Sequence, residues 1–364
     1  MKRIIYLLEH WLPPGTPGST GGTLYNYQLV EALSRHAEVD VIALNAPVQS
    51  VPHGVKITVF DEPVRCVSGL RFLGWKSILM DQLPKDGRGI VLLTTTSTNA
   101  IVDLAKRRGF RVVSIVQAYE DFGFFVPGGS LRDRLRGVKK RLATAQWFGP
   151  SLLRADRIIV NSEYMKGMIT LVLRCRRTVS VLYPPLTLPV DLSSGFSEDA
   201  LESVGFVNRS GKNLSFFIDL AKALPEKRFL IFGHPVPGNI CLPGNIVFWG
   251  WASDRKLMFQ KAYTWVMPSS WSEPFGLVAI EALSQGCRVA VSSKGGLPEA
   301  VGLCGVVFSD FDVKHWSDQI LSGSHTCSAD STIDHLRKFS LDCFDGNVLH
   351  IFNDIWKLDD ACLV

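Results

Sequence analysis

The sequence predicts an α/β protein of two domains, each built on a parallel sheet. Three observations carry this expectation. Short apolar runs rich in Val and Ile alternate with amphipathic helical patterns along most of the chain. The runs are continuously apolar, as strands covered on both faces are. The alternation breaks once, at Val181-Leu-Tyr-Pro-Pro-Leu-Thr-Leu-Pro189, and then restarts. Pro184, Pro185 and Pro189 exclude a helix or a central strand there, so the break reads as a hinge.

In the first half the predicted strands are 4–8, 39–44, 90–93, 111–116 and 157–160. Helical patterns cover 24–35, 99–108 and 131–154. In the second half the predicted strands are 203–207, 228–232, 246–249, 264–267, 288–291 and 305–308, with helices over 214–224, 277–285 and 313–321. The predicted domains are 1–186 and 187–346, and a C-terminal helix over about 347–364 is expected to pack back on the first. No internal sequence repeat is visible. Ligands of open parallel sheets bind at the carboxyl ends of the strands, so a cleft between the two domains is the expected site.

Composition narrows the class. With 364 residues, 46% hydrophobic and 20% charged, the chain is unlike disordered, collagen-like or coiled-coil sequences. No apolar run approaches the roughly 18 residues of a spanning helix. The start, Met1-Lys-Arg-Ile-Ile-Tyr-Leu-Leu-Glu9, is apolar too briefly for a leader and reads as a buried first strand in a cytoplasmic protein. The eight cysteines show neither C-x-x-C nor zinc spacing, which predicts scattered reduced thiols. Cys362 stands one position too late for a prenylation box. Charge is uneven: residues 1–182 hold 25 Lys+Arg against 14 Asp+Glu, and residues 183–364 hold 14 against 20. The two halves therefore attract different partners.

The richest stretch runs from Met267-Pro-Ser-Ser-Trp-Ser-Glu-Pro-Phe-Gly-Leu-Val-Ala-Ile-Glu281 to Gly295-Gly-Leu-Pro-Glu299. A strand ends at Met267, a polar loop follows, and a helix opens near Gly276. Its free N–H groups, around Phe275, Gly276 and Leu277, form an anion site suited to phosphate. Glu273 and Glu281 flank this helix start. Eight helical residues would separate them by roughly 12 Å, too far for an acid/base pair straddling one glycosidic bond. They are better placed to hold two parts of one long ligand. Phe206-Val-Asn-Arg-Ser-Gly-Lys-Asn213 offers Arg209 and Lys212 on a Gly-containing loop, two fixed cations suited to a diphosphate.

This pattern, E-P-F-G-L-V-x-I-E-A-L-x-x-G followed by G-G-L-P-E, resembles the signature of retaining nucleotide-sugar glycosyltransferases of glycosyltransferase family 4, the glycosyl transferases group 1. The resemblance implies the GT-B fold, two Rossmann-like domains facing across a cleft. It implies transfer of a hexosyl group from a nucleotide diphosphate sugar, UDP- or GDP-linked, to an acceptor hydroxyl. The setting would be polysaccharide, glycolipid or other glycoconjugate biosynthesis. By the same resemblance the first domain binds acceptor and the second binds donor. Glu273 contacts the donor sugar, Glu281 the ribose hydroxyls, and the helix start at Phe275, Gly276 and Leu277 the diphosphate. Arg209 and Lys212 stabilise the leaving group, although the family usually spaces such a pair more widely.

Further elements are weaker. Gly21-Gly22, in the Gly-rich loop after the first strand, let backbone approach a ligand, and Thr23 can cap the following helix. By the same resemblance, related enzymes carry a Gly-Gly loop here, facing the donor phosphates and the acceptor. After the strand at 112–116, many members place a histidine, and here the run is Ile115-Val-Gln-Ala-Tyr-Glu120. Gln117 can hydrogen-bond but carries no proton in catalysis, and Glu120 could orient an acceptor hydroxyl. Trp249-Gly-Trp251 reads equally as a nucleobase wall or as core. His234 reads as structural. Arg132 to Arg141, a basic run preceded by Phe122–Val126, suits an anionic membrane surface or a phosphorylated lipid acceptor, giving a cytoplasmic and peripheral placement.

No nucleic-acid motif accompanies the basic run, so nucleic acid is not an expected partner. No D-x-D element stands at a strand end. Neither a cofactor nor a protein-bound metal is expected. Two alternatives remain open on sequence alone: a nucleotide-sugar epimerase of the same fold, and a non-catalytic nucleotide-sugar or lipid-phosphate binding protein.

Overall fold

The computed structural model describes residues 2–16, 19–47, 50–60, 81–94, 96–99, 101–118, 135, 151–172, 175, 177–193, 195–252, 254–323 and 327–360. The chain forms two compact units, Met1–Pro185 with Asp342–Val364, and Leu186–Leu341.

The first unit holds seven parallel strands: β1 (Arg3–His10), β2 (Glu38–Asn45), β3 (Val55–Val59), β4 (Ile90–Leu93), β5 (Arg111–Val116), β6 (Arg157–Val160) and β7 (Thr178–Val181), in the order β3-β2-β1-β4-β5-β6-β7. The interior strands are buried along most of their length because both faces are covered. On β1, Ile4, Tyr6 and Leu8 enter one core with Leu29, Val30 and Leu33 of the helix Gly21–Ser34. Ile5 and Leu7 enter the opposite core with Val91, Leu93, Ile101 and Ala105. The period of two that sends neighbours to opposite faces here produces a continuous apolar run. The helix Leu341–Asp360 supplies Phe344, Val348, Phe352 and Ile355 to the first of these cores. Its Phe344 meets Tyr25 edge-on at 5.7 Å, and Lys2 stands 4.0 Å over the Trp356 ring.

The second unit holds six parallel strands: β8 (Ser203–Asn208), β9 (Arg228–Gly233), β10 (Ile246–Gly250), β11 (Thr264–Met267), β12 (Arg288–Ser292) and β13 (Val306–Phe308), in the order β10-β9-β8-β11-β12-β13. In each unit the third, second and first strands are followed by the fourth, so one topology occurs twice without a sequence repeat. The order reverses between β1 and β4 in one sheet and between β8 and β11 in the other. Such reversal points, at the carboxyl ends of the strands, are where open sheets bind ligands.

Several elements differ from expectation. Strands β3 and β7 lie at the two edges of the first sheet and are only partly buried, so neither shows an apolar run. The pattern at 99–108 divides into the helices Thr96–Asn99 and Val102–Arg107. Of the expected helix 131–154, only Leu135 and the short 3-10 turn Ser151–Arg154 lie within the described residues. The cysteines at 175, 241, 287, 304, 327 and 343 are free thiols. Among the described residues no helix is long and apolar enough to cross a membrane.

Gly205 of β8 shows how tight the second core is. A Cβ there would lie 2.7 to 2.9 Å from the ring of Trp265 on β11. That ring is fully buried, stacked with Phe232 at 5.4 Å and edge-on to Phe259 at 4.8 Å. It has no room to yield, so G205A should lower stability by about 1–3 kcal/mol, read as a lower denaturant midpoint.

Candidate functional site

The second unit gathers its polar side chains at the reversal between β8 and β11. The loop after β8 carries Arg209 and Lys212, and the loop after β11 carries Ser269 to Glu273. Backbone contacts tie the two loops together: the Ser270 N–H donates to the Gly211 carbonyl at 3.0 Å. A side chain on Gly211 would strike the Trp271 ring at 2.8 Å. Asn213 takes a left-handed conformation, φ 62°, at the turn into the helix Leu214–Ala223. Asparagine tolerates that region better than most residues.

Glu273 is buried and its backbone is held on a glycine seat. It forms an isolated parallel bridge with Gly295, and its carbonyl accepts from the Gly296 N–H at 2.7 Å. A Cβ on Gly295 would fall 2.0 Å from that carbonyl oxygen, and one on Gly296 would fall 2.7 Å from the Pro274 carbonyl oxygen. The glycine pair of the G-G-L-P-E run therefore exists to let the Glu273–Phe275 backbone lie against it. On the side chain, Oε1 accepts from both Lys212 Nζ and Ser269 Oγ. An ammonium has three N–H donors, so the Glu273 contact leaves Lys212 with further donor capacity.

The helix that follows is Leu277–Ser284, with Gly276 at its N-cap. Gly276 has φ 128°, and a Cβ there would meet Leu297 at 2.8 Å. No side chain caps this end, so the first amides keep their donor capacity and the positive end of the helix dipole. Glu273 precedes the helix. The rise argument thus holds only from Leu277 to Glu281, and the roughly 12 Å separation expected for eight helical residues does not apply.

Glu281 is 1% exposed, far from the surface glutamate its helical setting suggests. Its Oε2 accepts from the guanidinium of Arg255, on the helix Arg255–Phe259 after β10. Its Oε1 is buried with no hydrogen-bond partner. Burial pushes the carboxyl up to about 7, with the Arg255 charge and hydrogen bond opposing the shift. Arg255 also stands near Arg209, whose guanidinium is half-buried. Burial first, and then the Arg255 charge, hold Arg209 below its usual range. Arg209 lies 5.5 Å over the Trp251 ring, and His234 meets that ring edge-on at 5.3 Å. Trp249 and Trp251 are exposed, which removes the core reading of that pair.

Sequence reasoning missed Arg255. One signal was present: Arg255 and Lys256 occupy the first turn of a helix capped by Asp254, where the dipole disfavours cations. A cation held there against the dipole needs a partner, and the partner is Glu281.

Gly22 lies beside Gln117 within the first unit, and Gly21 opens the same helix. The two glycines are the first helical residues rather than loop. Thr20 is the N-cap, and Thr23, expected as the cap, sits three positions on and closes a reciprocal capping box with it. Gly22 lies close to Gln117: a Cβ there would stand 2.6 Å from the Gln117 Oε1, so the amide would have to shift to admit one. Gln117 Nε2 donates to Asn26 Oδ1, which also accepts from the Tyr6 hydroxyl at 2.7 Å. Asn161, next after β6, donates to the Gln117 carbonyl at 3.0 Å. Glu120 and the basic run Arg132 to Arg141 lie outside the described residues.

Residues 201–323 match the family described as glycosyl transferases group 1. The D-inositol 3-phosphate glycosyltransferase of Mycolicibacterium smegmatis is 28% identical over 391 residues, covering 93% of this chain and 88% of that protein. The enzyme of the same name from Mycobacterium sp. strain KMS is 28% identical over 220 residues, where the match spans about half of each protein: 51% of this chain and 49% of the relative. Among solved structures, sucrose-phosphate synthase from Thermosynechococcus elongatus superposes with a TM-score of 0.75 at 14% identity, over 98% of this chain and 100% of that one. Anabaena HepE in complex with UDP-glucose gives 0.66 at 15%, over 97% and 100%. The chain has the GT-B glycosyltransferase fold. Its residues 201–323 are the part that matches the glycosyl transferases group 1.

The raised Glu281 carboxyl sets a sign for stability against pH. The folded state holds its proton more tightly than the unfolded chain, whose ordinary value is 4.5. Its contribution is therefore full below about pH 4.5 and is lost as pH rises through about 7. E281Q, which stays neutral, should gain on the wild type by up to roughly 3 kcal/mol between pH 5 and pH 8. Urea denaturation of both proteins at the two pH values measures it.

Proposed function

We propose that the chain is a retaining glycosyltransferase that moves a hexosyl group from a nucleotide diphosphate sugar to an acceptor hydroxyl. One observation carries this reading. The loops after β8 and β11 bring two cations, a buried carboxylate and an uncapped helix start together at the sheet's reversal point. The diphosphate would lie against Arg209, Lys212 and the amides at Phe275, Gly276 and Leu277. Glu273 would hold the donor sugar and Glu281 the ribose. As the glycosidic bond to the β-phosphate lengthens, negative charge grows on the leaving oxygen, and fixed cations and amides offset it without reorganising.

The acceptor would bind the first unit, where Gly22 and Gln117 supply fixed, neutral hydrogen-bonding groups. Two relatives guide the choice of substrates. HepE was solved with UDP-glucose, and the mycobacterial enzymes are named for D-inositol 3-phosphate. UDP-hexoses are the first donors to test, and phosphorylated cyclitols join lipid-linked and free glycans as acceptors. The basic run Arg132 to Arg141 would hold the enzyme on an anionic membrane surface.

A thermal-shift panel of UDP-, GDP- and ADP-hexoses should show one selective donor, because a ligand bound only by the folded state raises its melting temperature. With that donor, product NMR should show the donor's anomeric configuration. An inverted product would remove the retaining assignment. Sugar recovered as an epimer without transfer would mark an epimerase, and ligand bound unchanged would mark a binding protein. K212A should lower kcat by about 100-fold or more with a smaller change in donor affinity. E281A should chiefly weaken donor binding. Binding to anionic vesicles should fall with salt and on neutralising the cations at 134–141.

A further inference from the structure

We propose that Arg255 is a positioning residue for the nucleotide's ribose: by clamping one oxygen of Glu281 it leaves the other as a fixed acceptor for the ribose hydroxyls. The inference rests on the assignment of Glu281 to the ribose. It adds a second residue that the sequence pattern does not contain.

The geometry is asymmetric. Both carboxylate oxygens belong to a side chain with almost no solvent access. Oε2 is occupied by the Arg255 guanidinium, while Oε1 is buried and unpartnered. A buried acceptor without a donor is destabilising by about 1–3 kcal/mol, so a ligand hydroxyl that reaches it recovers that loss on binding. A free carboxylate rotates and offers either oxygen. A carboxylate pinned at one oxygen from another helix offers only one, in a fixed direction. Vicinal hydroxyls are donors of the matching kind, and the acceptor they need is an ionised carboxylate. Arg255 favours that ionised form.

The anchor is itself built to stay in place. The Asp254 side chain accepts from the Leu257 N–H and fixes the start of the short helix that carries Arg255. The Arg255 side chain is 30% exposed, so it reaches the buried carboxylate from the solvent edge of the site. Its guanidinium presents a fork of N–H donors, so one bond to Oε2 does not exhaust it. Arg209 is close enough to feel its charge. Two guanidinium charges close enough to repel are relieved by an anion, so the residue that orients the ribose also favours a diphosphate beside it.

The test separates this inference from the ribose assignment beneath it. Calorimetric dissociation constants are measured for UDP, GDP and ADP, each against its 2′,3′-dideoxy counterpart. The proteins are wild type, R255Q, R255K, E281Q and R255Q/E281Q. Wild type should prefer at least one ribo form by roughly 10- to 100-fold, the range of a hydrogen bond to a charged group. R255Q and E281Q should each bring that ratio close to one, and the double variant should lose nothing further. R255K, which keeps the charge without the fork, should restore part of it. A wild type indifferent to the ribose hydroxyls of all three nucleotides would overturn the Glu281 assignment and the inference with it. A wild type that discriminates, beside an R255Q that discriminates equally, would overturn the role of Arg255 alone. R255K gives the same reading should R255Q fail to fold.

Discussion

The second unit depends on neutralising two buried carboxylates with cations from other loops. An ionised carboxylate removed from water is strongly destabilising unless it is paired. Glu273 meets Lys212 from the loop after β8, and Glu281 meets Arg255 from the helix after β10. Each pair joins the segment after β11 to a different neighbour, so three separate connections converge at one end of the sheet. Removing either partner leaves the other charge with less compensation, which makes the arrangement rigid as well as charged. Neither carboxylate is saturated by its partner alone: Glu273 takes a second donor from Ser269, and Glu281 keeps one oxygen open.

The same arrangement explains which parts of the molecule could be read in advance. Interior strands such as 90–93 and 112–116 announce themselves because both faces are covered and every residue is apolar or small. Edge strand β3, Val-Lys-Ile-Thr-Val, turns alternate residues toward solvent and loses that signal. The helix start at Gly276 was legible because glycine, a preceding polar loop and an apolar helical run are local features. The reason for Gly295 and Gly296 was not, because it lies in a backbone segment some twenty residues earlier. Arg255 was hidden for a related reason. On its own segment it is a polar residue opening a surface helix, and only the fold shows that its partner is a buried glutamate.

The first unit reaches its own reversal point with different chemistry. Gln117 follows β5, and its amide is fixed by Asn26, with Tyr6 donating to the same oxygen. The Gln117 amide oxygen lies close to Gly22, 2.6 Å from where a Cβ would stand. An amide held in this way can direct a hydroxyl but cannot take its proton at neutral pH. In the proposed reaction that leaves the first unit to orient its substrate.

Local charge runs against bulk charge in both halves. The half rich in Lys and Arg sets neutral amides around Gly22, whereas the acidic half places Arg209, Lys212 and Arg255 at its strand ends. Net charge therefore does not point to this cluster of cations, and backbone topology does. A parallel sheet fixes where loops converge, and each loop can then be charged independently of the surface around it. The same strand order places a reversal in each unit. In the proposed reaction one reversal orders neutral hydroxyls and the other holds a diphosphate while its charge increases.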